Sequence, residues 1–135
     1  MSIIEIRNLT KSFQHGRVKA LDNVSLSIEE GEFFGLIGPD GAGKTTLYRL
    51  LTTLLTPDSG CALFDGKDIV RDYKDIRRGI GYMPGRFSLY PDLTVEENLH
   101  FFASVFGATI GDNYHLVRDI YSQIEPFKSR RAGKL

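Results

Sequence analysis

The sequence has a single cysteine, Cys61, so no internal disulfide can form and a reducing compartment is expected. No apolar run approaches the ~18 residues that a membrane-spanning helix requires. The start, Met1-Ser2-Ile3-Ile4-Glu5-Ile6-Arg7, lacks the basic residues and long apolar stretch of a secretory leader. Excess charge is also lacking: 17 basic residues balance 17 acidic ones, so no overall field draws the chain to nucleic acid or an anionic membrane. His15, His100 and His115 fall at no metal-ligand spacing, and no paired carboxylates accompany them. The basic stretch Lys128-Ser129-Arg130-Arg131-Ala132-Gly133-Lys134 lacks interleaved aromatics and reads as a solvated loop. What remains is a soluble, cytoplasmic chain of one domain, and 41% hydrophobic residues with 14 glycines suit a globular fold.

The sequence is organised around Gly38-Pro39-Asp40-Gly41-Ala42-Gly43-Lys44-Thr45, followed by Thr46. The spacing is G-x-x-x-x-G-K-[ST], the phosphate-loop pattern, which a chain of this length meets by chance roughly 0.5% of the time. Before it runs Phe33-Phe34-Gly35-Leu36-Ile37, short enough for a buried strand; after it comes a helix-length run free of Pro and Gly. In that context the loop N–H groups and the helix N-terminus face an anion. Lys44 is expected at the β- and γ-phosphates and the Thr45 hydroxyl on Mg²⁺. Thr46 offers a hydroxyl and an N–H near the α-phosphate. The site is therefore read as one for a nucleoside triphosphate.

Ahead of the loop the chain is β-rich. Residues 3–7, 18–21 and 24–28 alternate in the manner of strands with one wet face. Beyond the loop, Pro57-Asp58-Ser59-Gly60 is a turn, Ala62-Leu63-Phe64 a short strand and Asp65-Gly66 a hairpin signal. Residues 72–78 suit a short polar helix, and Ile80-Gly81-Tyr82-Met83 a second buried strand stopped by Pro84. Thr94 with Glu97 makes a capping box, so a helix is expected from there to about Phe106, and another over residues 113–125.

Some 37 residues of β structure before a phosphate loop are unlike small nucleotide kinases and GTPases, in which the loop follows the first strand. The chain instead resembles the nucleotide-binding subunit of an ATP-binding-cassette (ABC) transporter. The resemblance rests on Leu9-Thr10-Lys11-Ser12-Phe13, Ala20-Leu21-Asp22-Asn23-Val24, the loop itself and Leu55-Thr56-Pro57-Asp58-Ser59-Gly60. It continues through Ile80-Gly81-Tyr82-Met83-Pro84 and Leu93-Thr94-Val95-Glu96-Glu97-Asn98-Leu99, in the family's order.

The resemblance implies an α/β fold: a P-loop NTPase (RecA-like) core with an antiparallel β subdomain over residues 1–86. A helical subdomain would begin at residues 87–135. It implies that Phe13 stacks on the adenine ring and that Val18 lines the base pocket, beside Gly38, Asp40, Gly41, Ala42, Gly43, Lys44, Thr45 and Thr46 at the phosphates. ATP and Mg²⁺ are the implied cofactors. A second nucleotide-binding subunit and a transmembrane permease are the implied partners, with the protein peripheral to the inner face of the cell membrane and export the implied direction. Of Phe87, Leu89, Tyr90, Leu99, Phe101, Phe102, Val105 and Phe106, about two-thirds are expected in the core of the helical subdomain. The remainder would line a groove for the permease.

Two residues depart from the family's pattern. Asp40 stands where Asn is usual, and places a carboxylate near a polyanion. Gly85 stands where the family's Gln reaches Mg²⁺ and the attacking water; a water is expected to fill its place. The family's paired acids, switch histidine and full signature loop are absent from these residues, and Leu135 sits where the signature would begin. The residues alone are therefore expected to be inactive in hydrolysis. A soluble ABC ATPase acting on the ribosome or DNA is the alternative reading, and a nucleotide kinase a more distant one.

Overall fold

The β-rich stretch folds into two long strands, β1 (Ser2–Phe13) and β2 (Val18–Glu29), paired antiparallel. Each is continuous where the sequence patterning indicated a break. Asn8 and Asn23 sit at φ 52° and 53°, a conformation that asparagine tolerates better than most residues. Each bend is held by a hydroxyl of the facing strand: the Asn8 N–H donates to Ser25 Oγ at 2.8 Å and the Asn23 N–H to Thr10 Oγ1 at 3.0 Å. The polar residues that interrupt the pattern thus absorb irregular register without ending the strands.

In the computed structural model, which describes residues 1–135, the chain divides into two compact units, Met1–Met83 and Pro84–Leu135. In the first, β3 (Ser59–Phe64) pairs with the other side of β1, and β4 (Lys67–Asp68) follows it. The sheet order is β2-β1-β3-β4, antiparallel throughout. The β3–β4 turn has Asp65 and Gly66 at φ 48° and 71°, the doubly left-handed geometry that an Asp-Gly pair favours. Helix α1 (Lys44–Leu51) lays Leu47, Leu50 and Leu51 on Ile6, Leu9, Leu21 and Ala62 of the sheet, and α2 (Tyr73–Gly79) adds Ile76 to that core. Arg77 of α2 closes the end of α1, donating to Thr53 Oγ1 and to the Thr53 carbonyl, each at 2.7 Å.

The two buried strands expected at residues 33–37 and 80–83 do not form. Neither segment pairs into the sheet, and Phe33, Ile37 and Met83 are exposed. A strand requires a ladder partner for its N–H and C=O groups, and the chain brings none beside either segment. Leu36 and Ile80 are half-buried and, with Phe34, Ile4, Leu26 and Leu47, line an apolar hollow of about 340 Å³ against α1.

The second unit holds α3 (Val95–Val105) and α4 (Tyr114–Tyr121). The capping box forms as expected: Thr94 Oγ1 accepts from the Glu97 N–H at 3.1 Å, and Glu97 Oε2 from the Thr94 N–H at 2.8 Å. The Thr94 N–H, together with the Thr94 hydroxyl donating to Glu97 Oε2 at 3.0 Å, holds the Glu97 carboxyl below its ordinary range. Helix α4 is shorter than expected, and Pro126 falls in a separate turn of 3₁₀ helix, Glu125–Phe127. The basic stretch is not a free loop. Its backbone runs along the start of α3, with the Val95 N–H donating to Arg130 O at 3.1 Å and the Ala132 N–H to Leu93 O at 2.8 Å. Asn98, 1% exposed, is the hub of this unit, accepting the Tyr90 N–H at 2.8 Å and donating to Tyr90 O and Thr94 O.

The expected helical core is not there: of the eight apolar residues, Phe87, Leu89, Tyr90, Phe101, Val105 and Phe106 are exposed and Leu99 and Phe102 only half-buried. Two short helices offer too few layers to cover them. Tyr90, Phe101 and Phe102 instead pack on one another, with ring centroids 5.0 to 6.2 Å apart. No helix is long and apolar enough to cross a membrane.

Candidate functional site

Residues 38–43 carry the chain from the unpaired segment into α1, and glycine makes the turn possible. Gly41 and Gly43 have φ of 83° and 91°, where side chains are strained. At Gly43 a second constraint applies. A Cβ there would collide with the carbonyl oxygen of Ala20 and come within 2.9 Å of Leu21 Cδ2. The backbone of β2 therefore presses on the loop, and Ala20 joins Asp40, Gly41, Ala42, Gly43, Lys44, Thr45 and Thr46 around a hollow of about 180 Å³.

The groups around this hollow are short of acceptors. Gly43 is the N-cap of α1 and has no side chain to cap with, and no acidic residue stands in the first turn. The Leu47 N–H donates to Gly43 O at 2.9 Å. The N–H groups of Lys44, Thr45 and Thr46 precede that bond and have no helical acceptor, so the helix keeps its partial positive charge here. Lys44 reaches back over the loop, its Nζ donating to Gly38 O at 2.6 Å and Pro39 O at 2.7 Å. An ammonium has three donors, so one is left for an anion. Bare helix donors, a tethered ammonium and a wall that admits no Cβ suit a polyphosphate, and the exposed Thr45 hydroxyl suits a hard cation.

The same strand leads to a second feature. Two residues before Ala20, Val18 begins β2 directly across from Phe13, the last residue of β1. Both lie at the hairpin tip, Phe13 38% and Val18 46% exposed, and Lys11 Nζ stands 5.7 Å from the Phe13 ring centroid. The structure thus brings Phe13 to Val18, gathers residues 40–46 round one hollow with Gly38 tied in through its carbonyl, and links the two groups by β2. Ala20 escaped the sequence reading because its contribution is a backbone position, which no side-chain pattern marks.

The profile of the ABC transporter family matches residues 21–133. The chain belongs to that family. Among relatives of this ABC chain, a probable multidrug ABC transporter ATP-binding protein of Escherichia coli (strain K12), YbhF, is 46% identical over 106 residues. The match covers 78% of this chain and 18% of that relative. The spermidine/putrescine import ATP-binding protein PotA of Nitrosospira multiformis is 45% identical over 101 residues, which is 75% of this chain and 27% of PotA. A solved dimeric ATP-binding cassette in a post-hydrolysis state, bound to ADP and Pi, superposes with a TM-score of 0.80 at 29% identity. That superposition covers 98% of this chain and 62% of the solved one. The chain thus spans less than a third of either curated relative and under two-thirds of the solved cassette. ATP-binding proteins of this family are ATPases, and the fold is that of their P-loop NTPase domain.

Against the family pattern, Asp40 lines this hollow, and Gly85 is exposed with no atom within 4 Å of where a Cβ would stand.

Proposed function

We propose that the intact protein is the ATP-binding subunit of an ABC transporter. In this reading it binds ATP with Mg²⁺ between two nucleotide-binding subunits and hydrolyses it to drive a transmembrane permease. The observation that carries this reading is the convergence of the Lys44 ammonium and the uncapped start of α1 on one hollow walled by β2. Residues 38–46 hold the phosphates, Thr45 holds the metal, and Phe13 and Val18 hold the base.

Bound Mg²⁺ would draw charge from the β- and γ-phosphates and ease transfer of the terminal phosphoryl group. Lys44, already oriented by two loop carbonyls, directs its remaining N–H to the same charge without reorganising. The N–H groups at the start of α1 bind the polyphosphate by charge and direction, and Gly43 lets β2 close the wall behind it. Nothing in residues 1–135 matches the family's water-orienting acids, so these residues alone turn over negligibly.

Exposed Phe87, Leu89 and Tyr90 support a docking face for a permease, and the subunit would sit at the inner face of the membrane beside it. We extend the proposal to export on residues 93–99 and the likeness to a relative named as a multidrug protein; a relative named for import is nearly as similar. Transport assays in oriented vesicles with the cognate permease decide the direction.

The test of the nucleotide site is Lys44→Ala in the intact polypeptide. Losing charge-assisted hydrogen bonds at about 1.5–3 kcal/mol lowers ATP affinity roughly 10- to 100-fold. Unchanged affinity by calorimetry would remove the proposal.

A further inference from the structure

The hydrogen bonds at the hairpin tip lead beyond the nucleotide-contacting residues. β3 pairs with β1 only as far as Thr10, opposite Ser59, and past that point β1 has no strand on this side. On its other side the register with β2 shifts between Leu9 and Lys11 and again between Lys11 and Ser12. A ladder so broken fixes the orientation of Phe13 poorly. Asp58, one residue before β3, takes over. Its N–H donates to Thr10 O at 2.9 Å. Its side chain then acts as a strand extension: Oδ2 accepts the Ser12 N–H at 2.6 Å and Oδ1 accepts the Lys11 ammonium at 2.7 Å. That lysine is only 16% exposed and lies over the Phe13 ring. The Lys11 hydrogen bond and the Ser12 N–H hold the Asp58 carboxyl below its ordinary range, so it is an anion at neutral pH.

We propose that Asp58 is a positioning residue for the nucleotide base: it fixes the last residues of β1 and the lysine beneath Phe13, so that the ring presents its free face to a purine. The inference rests on the reading that Phe13 stacks the base. It assigns Asp58, in the turn after the phosphate-loop helix, a task in base affinity and none in phosphate affinity.

The experiment compares binding of ATP and of inorganic tripolyphosphate by calorimetry in the intact polypeptide, for wild type, Asp58→Ala, Asp58→Asn, Phe13→Ala and the double variant Phe13→Ala/Asp58→Ala. Stacking on one aromatic ring sets the scale, so Asp58→Ala weakens ATP by about 5- to 10-fold and leaves tripolyphosphate unchanged. Asp58→Asn, which keeps an acceptor for the Ser12 N–H, recovers most of that loss. In the Phe13→Ala background the Asp58 substitution changes nothing further. Hydrogen exchange at the Ser12 amide, read without nucleotide, rises in Asp58→Ala and stays low in Asp58→Asn. Retained tripolyphosphate binding in each variant certifies the fold. If Phe13→Ala lowers the ATP preference and Asp58→Ala does not, the inference is overturned and the stacking reading survives. If Phe13→Ala leaves the preference intact, both fall. If Asp58→Ala strengthens both ligands alike, the carboxylate only neutralises Lys11, and the inference is again overturned.

Discussion

Alanine at Gly43 and at Gly41 separates two reasons for a glycine in the phosphate loop. Both residues have φ in the left-handed region, 91° and 83°, so either substitution forces a Cβ into a conformation costing about 1–2 kcal/mol. Only at Gly43 does the new atom meet the protein, against the Ala20 carbonyl and Leu21 Cδ2; at Gly41 nothing lies within 4 Å. The Ala20 oxygen is main chain of β2 between Lys19 and Leu21, which pair with Ser12 and Lys11, so it retreats only by shifting that strand. Overpacking of that kind costs about 1–3 kcal/mol more. Gly41→Ala is thus expected to destabilise by about 1–2 kcal/mol and Gly43→Ala by about 2–5 kcal/mol, a large share of a stability of about 5–15 kcal/mol. Urea unfolding of the intact polypeptide reads both, at constant m-value. Tripolyphosphate affinity should fall further in Gly43→Ala, because the loop escapes the contact by moving away from β2. Equal destabilisation of the two variants, within about 0.5 kcal/mol, would refute the claim that β2 sets the identity of residue 43.

Three further expectations can be checked independently. Gly85→Gln restores the family's side chain at an open position, so the folded state should be unaffected and the steady-state ATPase rate of the complete dimer should rise; an unchanged rate means that residue 85 does not limit turnover. Asn98→Ala leaves the Tyr90 N–H and the Tyr90 and Thr94 carbonyls without their partner, and should cost about 2–4 kcal/mol by chemical denaturation, against under about 0.5 kcal/mol for an exposed substitution such as Ser104→Ala. Glu97 has its pKa depressed by the Thr94 N–H and hydroxyl, so its contribution is present above its unfolded-state value and lost as pH falls through the folded one. Acidification should therefore lower the thermal midpoint of the wild type more steeply than that of Glu97→Gln, and parallel curves would show that the capping box does not titrate.

The elements legible in the sequence are those whose determinants are local. Thr94 and Glu97 close their box within one turn, and Asp65-Gly66 makes its hairpin from the dihedrals of two residues. The loop from Gly38 to Thr45 announces itself by glycine spacing. Failures fall where a distant partner decides. Asn8 and Asn23 looked like strand ends because the hydroxyls that hold their bends lie across the sheet, at Ser25 and Thr10. The basic stretch looked solvated because its side chains are polar, yet its backbone supplies carbonyls to the start of α3. Nothing local marks Asn98 for burial, and only the fold shows the Tyr90 backbone groups that it satisfies. Residues 33–37 have strand composition without a strand's neighbours.

The hollow at residues 40–46 is built without that strand. In a parallel α/β sheet a phosphate loop leaves the end of a paired strand. Here the preceding segment is unpaired, yet residues 40–46 still surround a single hollow and Lys44 Nζ is still tied to the Gly38 and Pro39 carbonyls. The support comes from elsewhere. Helix α1 is fixed to the antiparallel sheet by Leu47, Leu50 and Leu51, and the Ala20 backbone of β2 abuts Gly43 from the side. The shape of the hollow thus depends on the sheet that also carries Phe13 and Val18 at its tip. On the proposed reading, phosphate and base contacts would share one sheet, separate from any group that would orient the attacking water. Nucleotide affinity and turnover should accordingly respond to different substitutions: changes to the packing of α1 on β1 and β2 act on affinity, whereas a change at Gly85, in the other unit, acts on rate.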